Sequence, residues 1–352
     1  MTTLSSMKKD SSMKLSGKRS TLSRGAPDRQ SFLKNLQNTA HRFSLWKAGD
    51  SMIVAVSGGP DSLCLLDCLV ALGKKYDWKL HIAHVNYSLR GEESDLDEWL
   101  VRERAGFYAL PVTVLHPDMS DYAGNLEARL RDIRYNFFET IRVQLGFDAI
   151  AVAHNRDDQA ETVLLRLLRG SGLRGLGAMR PRAGVIIRPL LLTSREDILR
   201  YLKENALPFR IDGSNTDPKF TRNRVRHELL PVLETLNPNI RDTLARSALS
   251  LADDIDLLER CIDGAHSVIE NADGSGFSLL VTNFLVLSDA SQRSTLRALI
   301  ERFSDSTLPP SFSTIEEMRN FIASTKNKVA EKSFCGLKFM RRGARVSVLR
   351  EK

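Results

Sequence analysis

Short apolar runs alternate with longer amphipathic stretches through the first two thirds of the chain. The runs "SMIVAV" (51–56), "KLHIAHVNY" (79–87), "LPVTVLH" (110–116) and "DAIAVAH" (148–154) have the length and β-branched content of buried strands. Each is followed by a segment whose apolar positions recur at helical spacing: Asp61 to about Leu72, then 93–107, 125–146 and 157–170. A helix before the first strand (29–46), a short strand pair near 184–191 and a helix over 194–205 complete the pattern. Strand–helix alternation of this kind predicts an α/β fold, doubly wound around a mostly parallel sheet. From about residue 229 the alternation stops. Residues 239–270 read as one or two long helices, and two more are expected near 290–303 and 313–324. The domains expected are therefore 1–27, an extension; 28–230, the α/β unit; and 231–352, a mainly helical C-terminal unit whose last stretch carries strand-like pieces.

Charge changes this picture little, because it sits at the ends. The chain of 352 residues has a net charge of +8. Residues 1–27 hold six basic residues and one acid, residues 326–352 nine and two, so the middle is net negative. The first stretch is Ser- and Lys-rich without the apolar core of a secretory signal, and is expected to be a disordered arm. No apolar run approaches the roughly 20 residues that span a bilayer, so no membrane role is expected. The four cysteines, Cys64, Cys68, Cys261 and Cys335, form no CxxC, which fits a reducing, cytoplasmic setting.

Candidate chemistry begins at "SGGPDS" (57–62), between the first strand and the first helix of the alternation. At that place in an open α/β sheet, helix N-termini present unpaired amides to ligands. Gly58 and Gly59 permit positive φ and close approach to phosphate oxygens, Pro60 suits the first helical turn, and Ser57 and Ser62 supply hydroxyls. The GxGxxG spacing is absent, and no lysine follows as a GxxxxGK[ST] loop needs. A plain capped turn remains open. Asp61 is either a Mg²⁺ partner, since a carboxylate beside phosphates needs neutralising, or a helix cap.

Five blocks taken together carry a resemblance. "SGGPDS" resembles the loop of the PP-loop ATP pyrophosphatases. "HVNYSLRGEESD" (84–95), "NLEARLRDIRY" (125–135), "AHNRDDQAETVLLRLLRGSGLRGL" (153–176) and "RIDGSNTDPKFTRNRVRHELLP" (210–231) resemble, in order, the further motifs of the tRNA(Ile)-lysidine synthetase family. Tyr87, Leu130 and Asn155-Arg156 depart from the family's common residues at flanking positions. The resemblance covers about residues 50–235 and implies an adenine nucleotide alpha hydrolase-like fold.

It also implies a reaction. ATP adenylates C2 of the wobble cytidine in the CAU anticodon of tRNA(Ile), and free L-lysine displaces AMP. Ser57, Gly58, Gly59, Pro60, Asp61 and Ser62 would then hold the pyrophosphate, with Mg²⁺ at Asp61. Asp158 and Glu161, three apart on a first helical turn, would hold the lysine ammonium and take its proton. Asp157 would be a metal or cap partner. His154, Arg222 and Arg226 are expected at the nucleotide, with the packed strand-end histidine as the other reading of His154. Arg131, Arg134, Arg174 and Asn223 are expected on phosphates or RNA; for Arg131 and Arg134 a solvated helix face is the alternative. Six arginines and no acid between 166 and 188 suggest RNA backbone contact beyond the helix end. A homodimer is allowed. The main rival is a PP-loop tRNA thiolase, which would require paired cysteines.

Overall fold

The computed structural model describes residues 29–119, 126–210, 221–262, 268–270, 276–304, 310–324 and 329–351. The expected extension, 1–27, and residues 211–220 of the fifth block lie outside the described residues.

The first unit is built on a six-stranded sheet: β1 (Ser51–Ala55), β2 (Lys79–Val85), β3 (Val112–Leu115), β4 (Ala149–Ala151), β5 (Arg182–Ala183) and β6 (Ile186–Ile187), in the order β3-β2-β1-β4-β6-β5. All pairings are parallel except β5 with β6. β1 lies between β2 and β4, so strand order reverses beside it and a ligand crevice is expected at its carboxyl end.

Both faces of the sheet are covered. Side chains alternate along β1, so Met52 and Val54 join one core with α1 (Arg29–Arg42) and α2 (Pro60–Tyr76), while Ile53 joins a second core with Phe138 and Ile141. Around the sheet run α3 (Glu92–Tyr108), α4 (Leu126–Leu145), α5 (Arg156–Leu168), α6 (Leu173–Leu176) and α7 (Arg195–Glu204). The chain then continues through α8 (Thr221–Arg224), a π-helical stretch Val225–Leu229, α9 (Leu230–Leu236) and α10 (Ile240–Ile262).

α10 turns a face of small residues, Ala245, Ala248 and Ala252, inward, and packs on α5 and α6. A side chain at Gly177 would meet Ile255 at 3.3 Å and Ala252 at 3.5 Å, which shows how closely α10 approaches the α6 end. This helix, expected to open the second unit, thus packs against the first.

The second core is assembled from residues 277–348. Beside the helices α11 (Val281–Val286), α12 (Asp289–Phe303) and α13 (Phe312–Ala323) it holds a five-stranded antiparallel sheet. Its strands are β7 (Val268–Glu270), β8 (Gly276–Leu280), β9 (Val329–Phe334), β10 (Leu337–Arg342) and β11 (Arg345–Arg350), in the order β7-β8-β11-β10-β9. The basic C-terminal stretch is therefore sheet, not tail. Leu337, Phe339, Val346 and Val348 alternate with polar residues and point inward with period two. Arg341 also turns inward, where its guanidinium donates to carbonyls at the end of α13, Ile322 O at 2.8 Å among them. Among the described residues no helix is long and apolar enough to cross a membrane.

Candidate active site

The loop 57–62 lies at the carboxyl end of β1. Gly58 has φ +88°, and a Cβ there would stand 3.3 Å from both Cβ and O of Asp97, so conformation and space each require glycine. Gly59 begins α2 with Pro60 in its first turn, and no side chain caps that helix, so its first amides stay turned to the crevice. The two serines fasten the loop to itself. Ser62 Oγ donates to Gly59 O at 2.9 Å and accepts from Ser57 N at 3.1 Å.

Asp61 is not a cap. Its Oδ1 accepts from Asn155 Nδ2 at 3.1 Å, and its Oδ2 pairs with the guanidinium of Arg195, the first residue of α7. Behind the loop, Asp97 of α3 receives Arg90 (2.7 Å) and Arg210 (2.8 Å), and the Arg210 amide donates to Gly58 O at 3.2 Å. Arg195, Asn155, Asp97 and Arg210 were all missed by sequence reasoning. The signal for Asn155 was available: a side-chain acceptor three residues ahead of an acid, just before an apolar-periodic run, marks a capping box.

That box opens α5. Asn155 Oδ1 accepts from Asp158 N and Asp158 Oδ2 accepts from Asn155 N, each at 3.0 Å. The remaining Asp158 oxygen and the fully buried Glu161 carboxylate face the arginines beyond residue 220. Arg222 donates to Asp158 Oδ1 and Glu161 Oε2, both at 2.8 Å, and Arg226 Nε donates to Glu161 Oε1 at 2.6 Å. Two acids and two guanidinium groups thus form one cluster joining α5 to the segment 222–226. Burial pushes the Asp158 carboxyl up, with Arg222 opposing and the Glu161 charge adding to the rise. Asp157 joins two other helices: Oδ2 accepts from the Arg195 amide at 2.9 Å and Oδ1 from Arg241 at 2.9 Å.

Two cavities open on these groups. One, of about 770 Å³, is walled by the loop, His84, Tyr87, Leu130, Phe138 and the β4 end. The other, of about 1320 Å³, is polar and is lined by Ser57, Gly59 and Asp61 on one side and by Asp158, Glu161, Arg222 and Asn223 on the other. His154 and Arg134 border both. His154 accepts at Nδ1 from Arg188 Nε (3.2 Å), and burial first, then Arg188, hold its pKa well below the usual value, so the ring is neutral. His84 donates from Nδ1 to Val56 O at 2.8 Å. Two of the departures from the family pattern meet here: the Tyr87 hydroxyl donates to Leu130 O at 2.7 Å and lies 3.4 Å from Arg134 Nε. Arg131 lies over the Tyr135 ring at 4.6 Å.

The arginine run 166–188 differs from expectation. Arg166 donates to Gly175 O and Ala178 O, Arg182 to Ser44 O, and Arg188 to His154 and Arg180 O. Arg180 pairs with Asp256 and Arg174 with Glu301 at 2.9 Å, away from both cavities. The expected RNA-facing arginines first serve the protein, because a glycine-rich loop with no acid leaves carbonyls that need donors.

Comparison with known proteins decides the family. A family model described as PP-loop domain matches residues 28–233, more than half of the chain. The chain belongs to the PP-loop family. Among curated relatives, it is 44% identical over 240 residues to a tRNA(Ile)-lysidine synthase of Geobacter sulfurreducens, covering 66% of this chain and 50% of that protein. It is 44% identical over 215 residues to the tRNA(Ile)-lysidine synthase of Parabacteroides distasonis, covering 60% and 48%. The chain thus spans about half the length of these PP-loop relatives. A solved structure, the U34-tRNA thiolase of Methanococcus maripaludis with its [4Fe-4S] cluster, matches with a TM-score of 0.53 at 18% identity, covering 64% of this chain and 80% of that one. At that identity it supports the PP-loop fold alone.

Proposed function

We propose that the protein uses ATP to ligate free lysine to C2 of the wobble cytidine in the CAU anticodon of tRNA(Ile). The carrying observation is that the loop and the Asp158–Glu161 pair open on one polar cavity. In the first step the cytidine O2 attacks the α-phosphorus of ATP, and pyrophosphate leaves onto the amides of Gly58, Gly59, Asp61 and Ser62 and the hydroxyl of Ser57. Both Asp61 oxygens are engaged, by Asn155 and by the Arg195 guanidinium, so a Mg²⁺ carried in on the nucleotide phosphates would have to displace Arg195 to take Asp61 as a ligand; such an ion would neutralise the departing charge. The less polar cavity beside His84 and Tyr87 takes the nucleoside part of ATP, with His154 and Arg134 at its border.

In the second step the lysine ε-amine attacks C2, the C2–O bond breaks and AMP leaves. Lysine enters as an ammonium of pKa about 10.4 and has to lose a proton first. Asp158 and Glu161 hold the ammonium, and Asp158, its affinity for protons raised by burial, takes that proton. Arg222 and Arg226 balance the carboxylates and stand ready for the AMP phosphate. Asn223, Arg131 and the C-terminal unit, 231–352, serve the tRNA.

Among the described cysteines nothing favours a thiolase reading. Cys64 and Cys68 are buried within α2 and Cys335 lies in the second unit, and none of the three lines either cavity. The test incubates the protein with a tRNA(Ile) CAU transcript, ATP and lysine and follows AMP and pyrophosphate. Pyrophosphate release that requires the RNA, and AMP release that requires lysine as well, are expected; AMP release indifferent to lysine would overturn the reading.

A further inference from the structure

α12 carries Arg293 and Arg297 one turn apart; Arg297 lies beside the glycine-rich turn that leads into α6, and Arg293 reaches α13. The carboxylates nearby are committed. Glu301 is held by Arg174 at 2.9 Å, and Glu316 by Arg293 and Arg319 at 3.0 and 2.7 Å. Arg297 makes no hydrogen bond or ion pair among the described residues. It is nonetheless partly buried, its Nη1 3.9 Å from where a Cβ on Gly172 would stand. Burial, Arg174 and Arg293 all push its pKa down. Glu301 and Glu316 offset this only in part, being already bound to other arginines, so a partly buried cation among like charges gains from an arriving anion.

Other positive groups lie on the first unit. Arg169 is exposed at the end of α5, and Arg166 feels the charges of Arg131, Arg169 and Arg188. Arg131 and Arg188 in turn act on His154 at the polar cavity.

We infer that Arg297, with Arg174 and Arg293, forms a phosphate site at the junction of the two units that takes a backbone phosphodiester of the RNA substrate, apart from the reacting nucleotide. This rests on the lysine-ligation reading, which supplies the RNA. A free phosphate shares the chemistry but, unlike an RNA strand, makes no contact beyond this cluster.

The test is equilibrium binding of the full protein to tRNA(Ile) transcript over a salt series, for wild type, Arg297→Gln and Arg297→Lys, with inorganic phosphate as competitor. Arg297→Gln is expected to weaken binding several-fold and to lower the salt slope by about one, as loss of one phosphate contact does. Arg297→Lys should keep the slope, millimolar phosphate should compete only weakly, and the Arg297→Gln melting temperature should change little, since no hydrogen bond or ion pair of Arg297 is present among the described residues. An unchanged slope in Arg297→Gln, with wild type binding normally, overturns the site. A lower melting temperature with an unchanged slope shows a structural arginine instead. Strong competition by phosphate alone shows a small-anion site and overturns the RNA assignment. Wild type that fails to bind the transcript overturns the ligation reading along with it.

Discussion

The two halves of the candidate active site are built differently. The loop half is local: six consecutive residues, one positive-φ glycine and a helix start, with binding groups that are mostly backbone amides. The carboxylate half is assembled from side chains 61 to 65 positions apart, Asp158 and Glu161 on α5 against Arg222 and Arg226. A backbone cradle holds its shape whatever binds there. A cluster of two acids and two guanidinium groups redistributes charge when an ammonium or a phosphate enters. The first suits grip on a polyphosphate, the second suits a nucleophile that has to lose a proton.

The proposed reaction separates the halves by step, and mutations can break that separation. The largest effect is expected from Glu161→Gln, which keeps shape and removes charge. Lysine transfer should drop by about 10²–10⁴, the range for loss of a positioned acid–base group, while adenylation of the RNA persists. Rapid-quench analysis of adenylate and product checks this, and an equal loss in both steps would merge the two halves.

Asp61→Asn should act in reverse, lowering adenylation by about 10²-fold, in the range for removing one electrostatic contact to a developing charge. Transfer from preformed adenylate should be spared, which single-turnover chase with lysine measures.

Gly58→Ala asks how rigid the cradle is. A side chain at φ +88°, against Asp97, should cost about 1–3 kcal/mol in urea unfolding and weaken ATP binding, leaving the carboxylate cluster intact. Wild-type stability in this variant would show a loop that rearranges freely.

The smallest effect is expected at His154. Its folded pKa lies well below the unfolded value of 6.5, so the unfolded chain takes up the proton first as pH falls. The stability it contributes is present above pH 6.5 and lost as pH falls from there toward the folded pKa. Melting temperatures of wild type and His154→Gln should therefore draw together between pH 7 and pH 5. A constant difference would mean that the ring does not titrate as the fold requires.

Legibility in the sequence followed the same division. The alternation of runs, the loop, and the i, i+3 spacing of Asp158 and Glu161 are local and could be read from the chain. Arg195 against Asp61, 134 positions apart, and Arg210 against Asp97, 113 apart, could not be, because nothing local marks an arginine as the partner of a remote acid. The run 166–188 was only partly legible for a related reason: its composition records six charges but not the carbonyls and acids that engage most of them. In the C-terminal stretch, period-two strand pieces were visible, yet their pairing with β8, some 70 residues earlier in the chain, was not. Interleaved basic residues gave the look of a tail to what is one face of a sheet.

The central claim is that one cavity joins nucleotide activation to lysine attack on a single RNA base. Mass analysis of nucleosides from tRNA(Ile) CAU transcript, after incubation with the protein, ATP and isotope-labelled lysine, tests it most directly. The account predicts the label on the wobble cytidine alone, dependent on ATP and absent with Glu161→Gln. Unmodified cytidine with active protein, or sulfur rather than lysine at that nucleotide, would contradict it.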